Sequence, residues 1–166
     1  MALKTLEDAL VEGLEDLVSA ESQIAEVLPK MATKATNKEL KTAFRDHLKQ
    51  TKEHSKRLKQ AFKLMGKKPQ SKTCEAAKGL VEEGKSIIEE DAEPDVMDAM
   101  LINAAQKVEH YEIASYGTLC TWAKLLGLKE VHAVLAETLN EEEQTDKNLT
   151  KLAKKSINKN AINKPK

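Results

Sequence analysis

The chain has 166 residues, 40% hydrophobic, 33% charged and only 3% aromatic, with 27 basic and 27 acidic residues and a net charge of zero. That much apolar content excludes a disordered chain, and the apolar runs are too short to span a bilayer. Scarce aromatics, with only 6 Gly and 4 Pro, argue against a β-sandwich, and the lack of a basic excess lowers the weight of a nucleic-acid binder.

Five helical segments are expected in chain order. The first runs from about Thr5 to Lys30, with Thr5 and Asp8 at capping-box spacing and Pro29 where a break is expected. The second runs from about Asn37 to Met65, with Thr36 and Glu39 at capping-box spacing and Gly66 as terminator. A polar connector, Lys67 to Lys72, leads to a shorter third helix over about Thr73 to Glu90. Pro94 opens the fourth, which ends at about Leu126 before Gly127. The fifth covers about Leu128 to Lys154. Lys155 to Lys166 carries no acid and reads as a basic, disordered tail. Residues 1–154 are thus expected to form one all-α domain, a four-helix bundle with a short extra helix in a long crossover. One long crossover is the ferritin-like topology. Cys74 and Cys120 match no metal spacing, and two thiols fit a reducing compartment. The first residues lack an apolar signal core, so the expected location is cytoplasmic, with no membrane partner.

Core-facing helical stripes repeat every three or four residues. In the first helix the stripe Leu10, Leu14, Leu17, Ile24, Leu28 is interrupted by Glu21. In the second, Leu40, Phe44, Leu58 and Phe62 are interrupted by His47, Thr51 and His54. In the fourth, Glu112 falls in the stripe and Glu109 beside it; in the fifth, Glu142 and Asp146 interrupt, flanked by Glu143. These polar positions lie near the helix middles, so an antiparallel bundle would collect them in one layer. Several carboxylates cannot share a low-dielectric core as free anions, because each unpaired charge costs several kcal/mol. Protons, buried cations or metal ions must neutralise them. Carboxylates with imidazoles and no thiolates suit iron or manganese, zinc less specifically. The candidate metal ligands are Glu21, His47, His54, Glu109, Glu112, Glu142 and Asp146. Taken singly, Glu109, Glu143 and His54 are ordinary stripe-edge or hydrogen-bonded residues; the coincidence across four helices carries the reading. His110 and His132 fall off the stripes and are expected at the surface or outside the ligand set.

Ala104 to Leu119, reading AAQKVEHYEIASYGTL, closely resembles the signature of the YciF-like bacterial stress proteins. Ser19-Ala20-Glu21, Leu28 to Ala32, His47-Leu48 with Thr51, and Glu141-Glu142-Glu143 with Thr145-Asp146 extend the resemblance to nearly the whole chain. It implies a ferritin-like bundle related in fold to rubrerythrin, a homodimer and a cytoplasmic stress role, with no settled activity. The pattern departs from the usual di-iron bundle, which uses a Glu-x-x-His pair on each of two helices. This chain has none: Phe44, Thr51, Lys107 and Lys129 stand three before its four His. Two functions follow. One is a metal protein acting on iron, oxygen or peroxide, with Tyr111 or Tyr116 as electron donors. The other is a non-enzymatic dimeric structural or interaction protein with a metal-free polar core. A nucleic-acid role through the Lys-rich tail is the weakest.

Overall fold

The computed structural model describes residues 3–162. Its helices are α1 (Leu6–Lys34), α2 (Lys38–Leu64), α3 (Glu75–Glu89), α4 (Pro94–Leu125) and α5 (Lys129–Leu152). A π-helical turn, Ala153–Ile157, joins α5 to a short α6, Asn158–Ile162. No strand occurs among the described residues.

Around the bundle, α1 neighbours α2, α2 neighbours α5, α5 neighbours α4, and α4 closes on α1. The α1–α2 and α4–α5 pairs are joined by short turns. The segment from Met65 to Glu93 runs back along the outside, where α3 packs on both α1 and α4. Consequently α4 starts at the end of the bundle where α2 starts, as a long crossover requires.

Local chemistry explains the helix ends. The Thr5 hydroxyl accepts from Asp8 N at 3.0 Å and the Asp8 carboxylate accepts from Thr5 N at 3.0 Å, a complete capping box. At α2 the expected Thr36–Glu39 box is not formed. Asn37 caps instead, its Oδ1 accepting from Glu39 N at 2.9 Å and Leu40 N at 3.1 Å. Thr36 is drawn away by Asp98 of α4. Gly66 and Gly127 have φ of 67° and 73°, the left-handed conformation that ends α2 and α4 at little cost for glycine.

Two expected boundaries shift. The first helix does not break at Pro29 but continues to Lys34. Met31, Ala32 and Ala35 are buried beyond the proline, and this packing offsets the one helical hydrogen bond that proline removes. Nor does the chain fray at Lys155: it stays helical to Ile162, because Ala153 and Ile157 are buried and this segment packs on α4. Residues 163–166 of that expected tail lie outside the described residues.

The apolar core has two ends. Leu10, Leu14, Leu58, Phe62, Leu119 and Leu135 fill one; Met31, Leu40, Phe44, Leu101, Leu149 and Ile157 fill the other. Gly13 lets α4 approach α1, since a Cβ there would fall 2.6 Å from Leu119 Cδ2. The second end is fastened by buried Asp98. It accepts from Thr36 N at 2.7 Å, Thr36 Oγ1 at 2.6 Å and Asn37 N at 2.8 Å, so α4 ties down the α1–α2 turn.

Truncating Asp98 leaves these donors unsatisfied in a buried setting. Asp98→Ala should cost about 2–4 kcal/mol of unfolding free energy by urea titration, with Asp98→Asn costing less because its amide oxygen still accepts. An Asp98→Ala protein as stable as the parent would overturn the fastening role.

Candidate metal centre

Between the two apolar ends, four helices turn acids and imidazoles inward. Glu21 comes from α1, His47 and His54 from α2, Glu109 and Glu112 from α4, and Glu142 from α5. Each is at most 2% exposed. Their positions follow from helical geometry. Glu21 continues the Leu14–Leu17 stripe, and His47 and His54, seven apart, stand two turns apart on one face. Glu109 and Glu112, three apart, share the inward face of α4.

The ligand atoms form two groups, each within 4.8 Å: His47 with Glu109, Glu112 and Glu142, and Glu21 with His54 and Glu142. Glu142 belongs to both. Its Oε1 lies 2.9 Å from His54 Nδ1 and its Oε2 3.4 Å from His47 Nε2. His47 Nδ1 lies 3.1 Å from Glu109 Oε1, and His54 Nδ1 lies 3.4 Å from Glu21 Oε1. Six of the seven candidate ligands read from the sequence are thus brought together. Glu109 and His54, unremarkable singly, are fully buried members.

Asp146 is not brought into either group. It is one-fifth exposed, its Oδ1 accepts from Gln106 Nε2 at 2.9 Å, and it faces the exposed His110 ring at 3.2 Å. The stripe of α5 places it one turn past Glu142, toward the α4–α5 surface, so the phase that looked inward in sequence is turned outward. Glu143 also points away, pairing loosely with Lys147 at 3.9 Å.

The electrostatics are unbalanced. Four carboxylates, Glu21, Glu109, Glu112 and Glu142, face two imidazoles in a space closed to bulk solvent. Burial first, then the neighbouring acids, push the Glu109 and Glu112 carboxyls well above the ordinary range. Burial also raises Glu21, partly countered by His54. Burial alone would lower His54, but the flanking Glu142 and Glu21 carboxylates outweigh it and hold the ring up at about 10. Glu142 is the exception: burial opposes its charge, yet His47 and His54 together hold its carboxyl well below the usual range.

Despite these short distances, most of the converging atoms lack hydrogen-bond geometry. Both oxygens of Glu109, Glu112 and Glu142, both nitrogens of His47, His54 Nδ1, Glu21 Oε2 and Thr51 Oγ1 are buried without a hydrogen-bond partner among the described residues. Buried polar atoms are normally paired, and an unpaired cluster of this size is costly unless protons or a cation neutralise it. The donor set, all oxygen and imidazole nitrogen, fits a divalent transition metal, with Glu142 able to serve two ions.

Three residues around the cluster lie outside the expected ligand set, and of these only Tyr116 is given a role by the sequence reading, as an electron donor. Tyr116 is fully buried and donates to Glu21 Oε1 at 2.5 Å. Glu141 accepts from His54 Nε2 at 2.8 Å. Arg57 grips Glu141 through both oxygens, at 2.7 and 3.0 Å, and reaches Glu137 at 2.6 Å. The Arg57 guanidinium, with His54, holds the Glu141 carboxyl below its ordinary range against some burial. Arg57 lies one turn after His54, and Glu141 lies four after Glu137; that spacing is the only sequence signal for the network. Tyr111 faces away from the cluster, donating to Asp16 at 2.8 Å beside Cys74 Sγ at 3.0 Å.

Comparison with known proteins places this arrangement in a family. Protein YciF of Escherichia coli strain K12 is 45% identical over 165 residues, 99% of each chain. The crystal structure of YciF, described as an E. coli stress protein, superposes with a TM-score of 0.91 over 95% of this chain and 99% of that one. YcfI from Rhodopseudomonas palustris, described provisionally as a structural protein, is 43% identical over 89% of this chain and 94% of that one, with a TM-score of 0.86. A two-domain Anabaena variabilis protein with DJ-1/ThiJ/PfpI-like and ferritin-like domains matches at a TM-score of 0.60 and 18% identity, over 98% of this chain and 40% of that one. That last likeness concerns the fold alone and gives the bundle its ferritin-like description. The model of the family called domain of unknown function DUF892 matches residues 5–162, and with this match and the end-to-end likeness to YciF, the chain belongs to the DUF892 family.

Proposed function

We propose that this protein is a metal-binding, ferritin-like stress protein whose bundle core holds two iron or manganese ions. The observation that carries the reading is the cluster of buried, unpartnered ligand atoms shared by four helices. Glu109, Glu112 and His47 would hold one ion and Glu21 and His54 the other, with Glu142 between them. Iron or manganese bound there would supply redox chemistry toward oxygen or peroxide. Two divalent ions carry four positive charges, the count that offsets the four carboxylates.

The chain's own groups have defined parts in this. Apolar layers above and below keep water out and so strengthen every charge interaction within. Glu142, held ionised by two imidazoles, is a ready anionic ligand at the centre. Tyr116 fixes one oxygen of Glu21 and leaves Oε2 free to coordinate. Burial and the neighbouring acids favour protons on Glu109 and Glu112 in the metal-free protein, and these are the protons a metal would displace. The stress role is drawn from the likeness to YciF.

A second reading, a structural protein with a metal-free polar core, is favoured by the lack of any Glu-x-x-His pair. It also matches the description of YcfI. In that case protonated carboxyls would carry the core.

Metal content separates the two. Tag-free protein reconstituted anaerobically with ferrous iron should hold about two ions per chain by elemental mass spectrometry, and a chain that takes up neither iron nor manganese would overturn the metal reading. Glu112→Gln should lose at least one ion. Without metal, the same variant should be more stable than the parent at pH 8 by about 1 kcal/mol or more in urea, because the parent must either protonate this carboxyl or bury its charge on folding and the amide does neither.

The pH dependence should also reverse on loading. Raised folded-state pKa values at Glu21, Glu109 and Glu112 give stability that is present below the unfolded carboxyl range and lost as pH rises. His54 acts in the same sense, its contribution being lost steadily as pH rises from its ordinary 6.5 to about 10. Glu142, with its lowered pKa, acts oppositely and is outnumbered. The metal-free melting temperature should therefore fall between pH 5.5 and 8. That of the loaded protein should rise over the same interval, since protons compete with metal for the ligands. Identical curves with and without chelator would favour the structural reading.

A further inference from the structure

The two imidazoles of the cluster are held in different ways. His47 turns both ring nitrogens toward cluster acids, Nδ1 to Glu109 at 3.1 Å and Nε2 to Glu142 at 3.4 Å, and neither has a hydrogen bond among the described residues. His54 divides its nitrogens. Nε2 meets Glu141 at 2.8 Å, while Nδ1 faces Glu142 at 2.9 Å and Glu21 at 3.4 Å.

Glu141 is itself fixed. Arg57 Nη1 bonds Glu141 Oε2 at 2.7 Å and Nη2 bonds Oε1 at 3.0 Å, a two-pronged grip. The same guanidinium reaches Thr138 Oγ1 at 3.3 Å and Glu137 at 2.6 Å, so α5 holds it from three residues. A carboxylate gripped this way accepts hydrogen bonds and donates none. The proton of the neutral ring is therefore kept on Nε2, and the Nδ1 lone pair is directed into the cluster. Arg57 is 17% exposed and Glu141 26%. The chain of contacts thus crosses from the buried cluster to the α2–α5 surface.

We propose that Arg57 and Glu141 are positioning residues that pre-orient His54 and make the two metal subsites inequivalent: a pre-set one at His54, Glu21 and Glu142, and an adaptable one at His47, Glu109 and Glu112. This rests on the metal reading above. A carboxylate behind a ligating imidazole fixes its tautomer and ring angle and raises its basicity. The His47 subsite has no such backing, and its ring and acids must rearrange together around an ion. The pre-set subsite fills first.

The test is an anaerobic calorimetric titration of full-length protein with ferrous iron, repeated with manganous ion. The parent chain should show two unequal binding steps. Arg57→Ala and Glu141→Ala should weaken the tighter step about 10–100-fold and leave the weaker one in place. Glu141→Gln should restore most of the loss, because its amide oxygen still accepts from Nε2–H. A purely structural role would weaken both steps together and show no such rescue. Equal loss at both steps, or unchanged affinity in both alanine variants, overturns the clamp while leaving the metal reading intact. A parent chain that binds neither ion overturns the metal reading and the clamp with it.

Discussion

Four buried carboxylates within reach of one another dominate the energetics of this bundle. Each must shed its water to enter a core built of Leu, Ile, Phe and Ala, and together they repel. In a medium of low polarity, such a group persists only if something of opposite charge, or a proton, enters with it. The two imidazoles answer part of the demand. They hold Glu142 ionised while Glu109 and Glu112 are driven toward the protonated form. The split within one cluster follows position: Glu142 stands between both rings, whereas Glu109 meets His47 alone, at 3.1 Å.

The rest of the architecture is arranged around that cost. Apolar layers fill the bundle on both sides of the cluster, and four long helices deliver their polar residues to the same height. Accuracy of delivery depends on the ends. Asp98 ties the start of α4 to the α1–α2 turn, and Gly13 allows α1 and α4 to close at the other end. α3 covers the α1–α4 seam, with Cys74 N bonded to Ser19 Oγ at 3.1 Å and Lys107 paired to Glu83 at 2.6 Å. A bundle so fastened resists collapse onto its own polar layer, and the layer's open hydrogen-bonding capacity is preserved.

Support around the cluster is confined to one of its two ligand groups. On the α2–α5 flank, Arg57 and Glu141 brace His54 from outside. On the α1–α4 flank, Tyr116 braces Glu21 from within the core. His47, Glu109 and Glu112 have no equivalent brace among the described residues.

Helical periodicity made the bundle and most of the polar layer legible in the chain alone. Glu21, His47, His54, Glu112 and Glu142 each break an apolar stripe at a predictable phase, because a 3.6-residue repeat fixes which residues share a face. The AAQKVEHYEIASYGTL run added the family. Phase along a long helix drifts, however, and small angular differences decide burial at the edge of a stripe. Glu109 and Asp146 show this. Glu109 lies beside its stripe in sequence yet is fully buried, whereas Asp146 falls within its stripe yet turns toward Gln106 and His110. Contacts between distant segments were wholly out of reach. Neither the preference of Thr36 for Asp98 over its own helix, nor the grip of Arg57 on Glu141, nor the packing that carries α1 past Pro29 has a local signature. A single chain determines which faces are apolar and where acids interrupt them; only the packing of four helices against one another decides which of those acids lose their water.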